Sequence, residues 1–392
     1  MAAPINPALA GTVAPPVMEA RRWIEETAFP TDRPLLNVSQ AAPLDPPPEP
    51  LRRAIAEAAM DDAGAHLYGP VLGLPALRAE VAGQWSLAYG GTVAPDQVAI
   101  TSGCNQAFCA AVATLAGAGD AVILPTPWYF NHKMWLDMMG IEARALPCGD
   151  DLLPDPAAAE ALIGPGVKAI ALVTPNNPGG VEYPADLVHA FAALARRHGL
   201  ALILDETYRD FDSRPGAPHD LFADPDWDEV LIHLYSFSKA YRLTGHRVGA
   251  MIAGRARLAE AEKFLDTVTI CPNQLGQRAA LWGLRNLRQW LAGERAEILD
   301  RRAAMEAAIA GLPGWRLLGC GAYFAYVAHP FGTGGPALAR RLVQEAGVLM
   351  LPGTMFAPDD DAAAAGQMRI AFANVDRAGI GALSDRLAGF SG

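Results

Sequence analysis

Residues 234–250 read LYSFSKAYRLTGHRVGA, an apolar run that ends in a lysine set among serines, with an arginine eight positions later. A lone lysine is most often solvated at the surface. Lys239, however, comes directly after Ser236 and Ser238 at the end of a strand-like run, and Arg247 stands between Gly245 and Gly249. A hydroxyl and a forked guanidinium are common equipment for holding a phosphate dianion. A neighbouring positive charge also lowers a lysine's pKa and frees its amine to act as a nucleophile.

Outward from this stretch, short β-rich runs alternate with Ala- and Leu-rich segments of helical period, the pattern of a parallel sheet with crossover helices. The runs are Val98 to Thr101, Ala121 to Leu124, Ile141 to Leu146, Lys168 to Val173, Ala201 to Leu204, Val230 to Tyr235 and Val248 to Ala253. They predict an α/β fold whose large domain carries one mostly parallel, seven-stranded sheet flanked by helices. One crossover opens near Pro184, presents Leu187, Val188, Phe191, Leu194 and Ala195 on one face, and closes at Gly199. Another helix starts at Pro75 and passes through Leu77, Val81 and Trp85.

Beyond about residue 285 the pattern changes to a long charged helix (287–312), a strand-like AYFAYVA (322–328), a helix over 335–347 and a last strand QMRIAFA (367–373). This reads as a smaller α+β domain. The expected division is an N-terminal arm over 1–45 that belongs partly to the small domain, a large domain over 46–285 and a small domain over 286–392. The proline-rich AAPLDPPPEP (41–50) is stiff and poor in donors, and it reads as the crossing between arm and sheet.

Composition narrows the class of function. A net charge of −11 argues against a nucleic-acid or anionic-membrane partner, either of which calls for clustered Lys and Arg. No apolar run approaches the length of a membrane span, and the N-terminus lacks the charged start and apolar core of a signal peptide. Five scattered cysteines without a CxxC pair suggest neither a disulfide framework nor a metal site, so a reducing, cytoplasmic setting is expected.

Four strand ends carry polar loops on what should be one rim, where open α/β sheets bind ligands. TSGCNQAF offers backbone N–H groups at Gly103, Cys104 and Asn105 as a helix begins, a cradle for an anion. TPNNPGG, LILDETY and SFSK follow the other three. There is no GxxxxGK[ST] or GxGxxG, so the phosphate is not that of a P-loop or Rossmann nucleotide. A nucleophilic lysine beside a phosphate site suits an aldehyde partner. Pyridoxal 5′-phosphate has both the aldehyde and the phosphate, and its pyridine nitrogen calls for a carboxylate such as Asp205.

With these residues in place, the chain resembles the fold-type I pyridoxal-phosphate enzymes, and among them the class I and II aminotransferases, from YGPVLGLPALR (68–78) to MRIAFA (368–373). The most specific part is S-x-S-K followed by G-x-R-x-G. The resemblance implies that Lys239 is the imine lysine and that Ser236, Ser238 and Arg247, with Gly103, Cys104 and Asn105 opposite, hold the phosphate. It implies further that Asp205 pairs with the ring nitrogen, and that Tyr208 and Asn177 serve the phenolic oxygen. Tyr129 stacks on the ring unless a one-residue slip chooses Trp128. Arg369, with Asn177, clamps the substrate α-carboxylate, and Tyr68 reaches the partner's phosphate in a homodimer. No metal is expected.

Three departures from that family's pattern bear on the substrate side chain. Arg242 stands where a small residue is usual, Ala41 replaces a customary glycine, and His132 replaces a customary tyrosine. The implied reaction is ping-pong transfer of an amino group from an L-amino acid to a 2-oxo acid. The same lysine and aspartate also serve C–S lyases and cyclopropane-forming synthases of this fold. A regulatory relative would carry a helix-turn-helix, for which the short N-terminal arm has no room.

Overall fold

The computed structural model describes residues 3–43 and 45–391; Met1, Ala2, Gly392 and Leu44, the last within the proline-rich crossing, lie outside the described residues. A short strand, β1 (Leu36–Asn37), precedes the large sheet. That sheet comprises β2 (Val98–Thr101), β3 (Ala121–Thr126), β4 (Glu142–Pro147), β5 (Val167–Val173), β6 (Ala201–Asp205), β7 (Leu231–Ser236) and β8 (Gly249–Ile252). All seven expected runs are strands, with ends shifted by two residues at most. Their order is β2-β8-β7-β6-β5-β3-β4. Only β8 runs antiparallel to its neighbours, so β2, β5, β6 and β7 end on the same rim.

Every residue of β2, β3, β6, β7 and β8 is buried, as apolar strands covered on both faces must be. Alternation still divides them. On β6, Leu202 and Leu204 face one hydrophobic cluster, while Ala201 and Ile203 face the other. Each such leucine or isoleucine contributes about 1.5–3 kcal/mol. The crossover helix is Ala185–Arg197 with Pro184 as its N-cap, and Val188, Phe191, Leu194 and Ala195 are buried beneath it.

A second, antiparallel sheet has the order β12-β13-β10-β9, where β9 is Arg316–Gly321, β10 Phe324–Ala328, β12 Leu351–Pro352 and β13 Gln367–Ala371. Beside it β11 (Val348–Leu349) pairs in parallel with β1. The charged helix runs over Arg288–Ala310. Trp23 and Val38 of the N-terminal segment share one apolar cluster with Phe324 and Met368. Within the crossing 41–50, a helix already begins at Glu49. The helix expected over 335–347 is regular only at Gly335–Arg341 and continues as one wider turn, Leu342–Ala346.

Among the elements that the sequence pattern did not predict, two show why. The sequence of β9, RLLGCG, looks like a turn because of its glycines. A Cβ on Gly319 would collide with the carbonyl oxygen of Gly179, so glycine there permits the sheets to approach. The final helix, Arg377–Ala388, is disguised by Gly379 and Gly381, and its start is secured by Asp376, whose carboxylate accepts from the Gly379 N–H at 2.8 Å.

Candidate active site

The rim where β2, β5, β6 and β7 end opens on a cavity of about 380 Å³, which the loop 40–42 and residues Pro15 and Val17 help to line. Cys104, Asn105, Tyr129, Asn177, Asp205, Tyr208, Ser236, Ser238, Lys239, Arg247 and Arg369 all reach it. These residues are dispersed over 266 positions of the chain, 104 to 369 inclusive, and the two sheets bring them together.

β7 ends at Ser236, which caps the short helix Phe237–Ala240 by accepting from the Ser238 N–H at 3.3 Å. That turn delivers Lys239 into the cavity, where its Nζ donates to the Ala41 carbonyl. Burial, reinforced by Arg247 and Arg369, pulls its amine down to about 8. Arg247 donates to Ser238 Oγ and to the Thr244 carbonyl, both at 3.2 Å. It is held at φ +50°, a left-handed conformation that costs an arginine about 1–2 kcal/mol. Gly103 ends the opposite loop at φ +87°, and any Cβ there would overlap the Arg247 guanidinium. The first turn of the helix Cys104–Ala113 follows, its leading N–H groups lacking acceptors within the helix.

Asp205, at the end of β6, is buried. One carboxylate oxygen accepts from the Thr207 N–H at 3.0 Å and lies 3.5 Å from the Cys104 sulfur. The other is 3.3 Å from His132 Nε2. Burial alone would raise this carboxyl, but the hydrogen bonds and charge of His132 and the bonds from Thr207 hold it below the usual aspartate value. His132 is itself stacked on Phe108, centroids 3.7 Å apart. Glu206, next in the chain, points elsewhere and is fully buried among Tyr89, His219 and His233.

Tyr129, not Trp128, lines the cavity. Its hydroxyl donates to Asn105 Oδ1 at 3.2 Å and accepts from Asn131 Nδ2 at 3.0 Å, whereas Trp128 is buried in the large sheet's core. Tyr208 is buried against Tyr323 and Phe324, and burial pushes its hydroxyl pKa well up. Tyr68 is 80% exposed and does not reach the cavity of its own chain.

Arg369 comes from β13 of the second sheet, 2% exposed. Its Nη1 donates to Asn177 Oδ1 at 2.9 Å and its Nη2 to the Ser39 carbonyl, while Nε has no partner. Phe324 and Phe356 cover it with centroids 5.0 and 4.8 Å from the guanidinium carbon. Burial pulls it down to about 10. No acid of 357–361 pairs with it among the described residues. Arg242, by contrast, is turned away from the cavity. It binds Glu294 at 2.7 Å and lies 3.3 Å from Asp45.

Sequence reasoning did not assign Thr207, Ser39, Gln40 or Asn374 to the site. An N–H two positions after an aspartate is an Asx-turn pattern, so Thr207 was accessible in principle. Ser39 and Ala41 act through carbonyl oxygens, which carry no side-chain signal. Asn374 Nδ2 donates to the Gln40 carbonyl and fixes that loop from the far end of the chain.

The N–H groups that open the helix Cys104–Ala113, a low-pKa amine, a buried carboxyl held below its usual pKa and a buried guanidinium thus border one cavity. The family of class I and II aminotransferases matches residues 33–387, and the chain belongs to it. A valine–pyruvate aminotransferase of Mycobacterium tuberculosis is 30% identical over 354 residues, covering 86% of this chain and 87% of the relative. An arginine–pyruvate transaminase of Pseudomonas aeruginosa is 32% identical over 333 residues, 81% of each. In fold, an aspartate aminotransferase of Thermus thermophilus superposes with a TM-score of 0.89 over 99% of both chains at 23% identity. The protein is thus an aminotransferase, and among its described residues no helix is long and apolar enough to cross a membrane.

Proposed function

We propose that the enzyme uses pyridoxal 5′-phosphate to move an amino group from an L-amino acid to a 2-oxo acid by a ping-pong route. The observation that carries this is Arg369, a buried guanidinium with no carboxylate partner among the described residues, in the same cavity as the low-pKa Lys239 amine and the ionised Asp205. The residues present fit the cofactor: Gly103 has no Cβ to obstruct the cradle beside Arg247, and the buried Asp205 carboxyl is held below its usual pKa by His132 and Thr207. When bound, pyridoxal phosphate supplies an aldehyde carbon and a cationic ring that accepts an electron pair.

The chain's own residues then divide the work. Ser236, Ser238, Arg247 and the first-turn N–H groups of Cys104 and Asn105 bind the phosphate. Asp205 holds a proton at the ring nitrogen, Tyr208 and Asn177 donate to the phenolic oxygen, and Tyr129 covers a face of the ring. Arg369, with Asn177, orients the substrate α-carboxylate in a bidentate grip. The Lys239 amine, which loses its proton around a midpoint of about pH 8, is the base that takes the Cα proton and gives it back.

In the same reading the active unit is a homodimer to which each chain lends its exposed Tyr68, and the compartment is the cytoplasm, consistent with five free thiols. Its domains are an arm and part of the small domain over 1–45, a large domain over 46–285 and a small domain over 286–392. Relatives named for valine–pyruvate and arginine–pyruvate exchange support the amino-acid and oxo-acid classes. Borohydride reduction of the loaded enzyme should tag Lys239. In separate, unreduced enzyme an added amino acid should bleach the visible band while one equivalent of 2-oxo acid appears; pyruvate release with the band unchanged would establish elimination instead.

A further inference from the structure

The cations that line the cavity among the described residues are Lys239, Arg247 and Arg369, and the aminotransfer reading, on which this inference rests, occupies all three. Aspartate or glutamate would bring a second carboxylate. Once desolvated, that group needs a cation or several donors. Arg242 cannot supply one, because it is spent on Glu294 and Asp45.

The wall next to the α-carboxylate site is apolar. Phe130 packs on Tyr129 on one side (5.4 Å) and on Phe356 on the other (5.6 Å), and Phe356 is the ring that covers Arg369. Pro15 and Val17 extend this wall. Asn131 lies on the same cavity, but its amide N–H is already directed to the Tyr129 hydroxyl.

Phe130 also borders an adjoining space of about 1080 Å³ under the N-terminal arm. The ionisable residues there are Glu19, Asp137, Glu142, Asp359 and Lys133, whose ammonium is bound to Asp137 at 2.6 Å. An anionic side chain would meet net negative charge. A cationic one gains little, because Asp137, Glu142 and Glu19 already face Lys133, Arg144 and Arg340, and Asp359 is solvated.

We infer that the side-chain pocket bounded by Pro15, Val17 and Phe130 takes uncharged, apolar side chains. Because both half-reactions use this one cavity, the acceptor is likewise a 2-oxo acid without a second carboxylate. The amino group leaves a neutral donor and enters a neutral oxo acid, with no net oxidation.

The test is single-turnover absorbance of the pyridoxal-phosphate-loaded enzyme with leucine, methionine and phenylalanine against aspartate, glutamate, lysine and arginine. The aminated enzyme is then challenged with pyruvate, 4-methyl-2-oxopentanoate and 2-oxoglutarate. Neutral donors and acceptors should react at least about 100-fold faster than charged ones. Val17→Arg, which adds a cation to the wall, should raise the glutamate rate at least about tenfold relative to leucine. Equal rates for a charged and a neutral donor, or an unchanged ratio in folded Val17→Arg, would overturn the inference while leaving aminotransfer intact. Bleaching by no amino acid at all would sink both.

Discussion

Nη1 of Arg369 donates to Oδ1 of Asn177 at 2.9 Å across 192 positions of chain, joining the second sheet to a loop of the first. The bond sets the guanidinium at the edge of the cavity with its Nε still unpartnered. A group this buried is costly unless its remaining donors find an acceptor.

Arg369→Lys keeps the charge but removes the fork that reaches Asn177 and the Ser39 carbonyl together. The value of kcat/KM for amino acids should fall by about one to three orders of magnitude, roughly 1.5–4 kcal/mol. The visible band of the cofactor-loaded enzyme should survive, since the cofactor is held elsewhere. Near-normal kcat/KM would refute the clamp.

For Lys239 the expectation concerns pH. In cofactor-free enzyme, condensation with pyridoxal, which lacks the phosphate, requires the neutral amine. Its rate should therefore rise with pH through a midpoint of about 8 and then level off. Arg247→Gln should move the midpoint upward only in part, because burial is the larger cause and Arg247 the second. A wild-type midpoint at the ordinary lysine value of about 10.4 would sink the assignment. Lys239→Ala should abolish both the condensation and turnover.

Asp205→Ala should reduce kcat by about two to three orders of magnitude with little change in substrate affinity, since the charge it stabilises develops in the transition state. Stopped-flow Cα-deuterium effects would report the slowed proton step. A raised KM with unchanged kcat is the result that excludes this role.

Arg242→Ala should leave kcat/KM within about threefold and lower stability by about 1 kcal/mol, the worth of a well-formed, partly exposed ion pair. Thermal melts and kinetics on the same preparation separate the two. A large kinetic loss with an unchanged melt would return Arg242 to the substrate site.

Mixing Lys239→Ala with Tyr68→Phe chains tests the dimer. Hybrid dimers should contain one site that keeps Lys239 and receives the other chain's Tyr68, so activity should partly recover. A fully active monomer in sedimentation would exclude the shared site.

The large sheet was legible because buried parallel strands are unbroken apolar runs bounded by polar loops. Lys239, Asp205, Asn177 and Arg369 were legible for the same reason: each is a polar residue at the end of, or within, an apolar element, where its presence calls for a partner. Strand β9 was hidden because glycine at 319 serves a close approach between elements that are remote in sequence. His132 stood out only as a departure. Its place beside Asp205 depends on how the helix Phe130–Met138 rests on Phe108, a tertiary contact. The direction of Arg242 was undecided by sequence for a similar reason, since Glu294 lies 52 positions away.

Lys239 and Arg369 are both tethered to the loop 39–41 through carbonyl oxygens, those of Ala41 and Ser39. Main-chain acceptors are supplied by every amino acid, so the letters at 39–42 can drift without untying either cation. An alanine at 41 in place of the family's glycine leaves that carbonyl acceptor in place. The loop acts as an exchangeable faceplate: its backbone keeps the machinery aligned while mutation at Gln40, Ala41 and Ala42 reshapes the entrance, a route by which one scaffold can acquire new substrates in few steps.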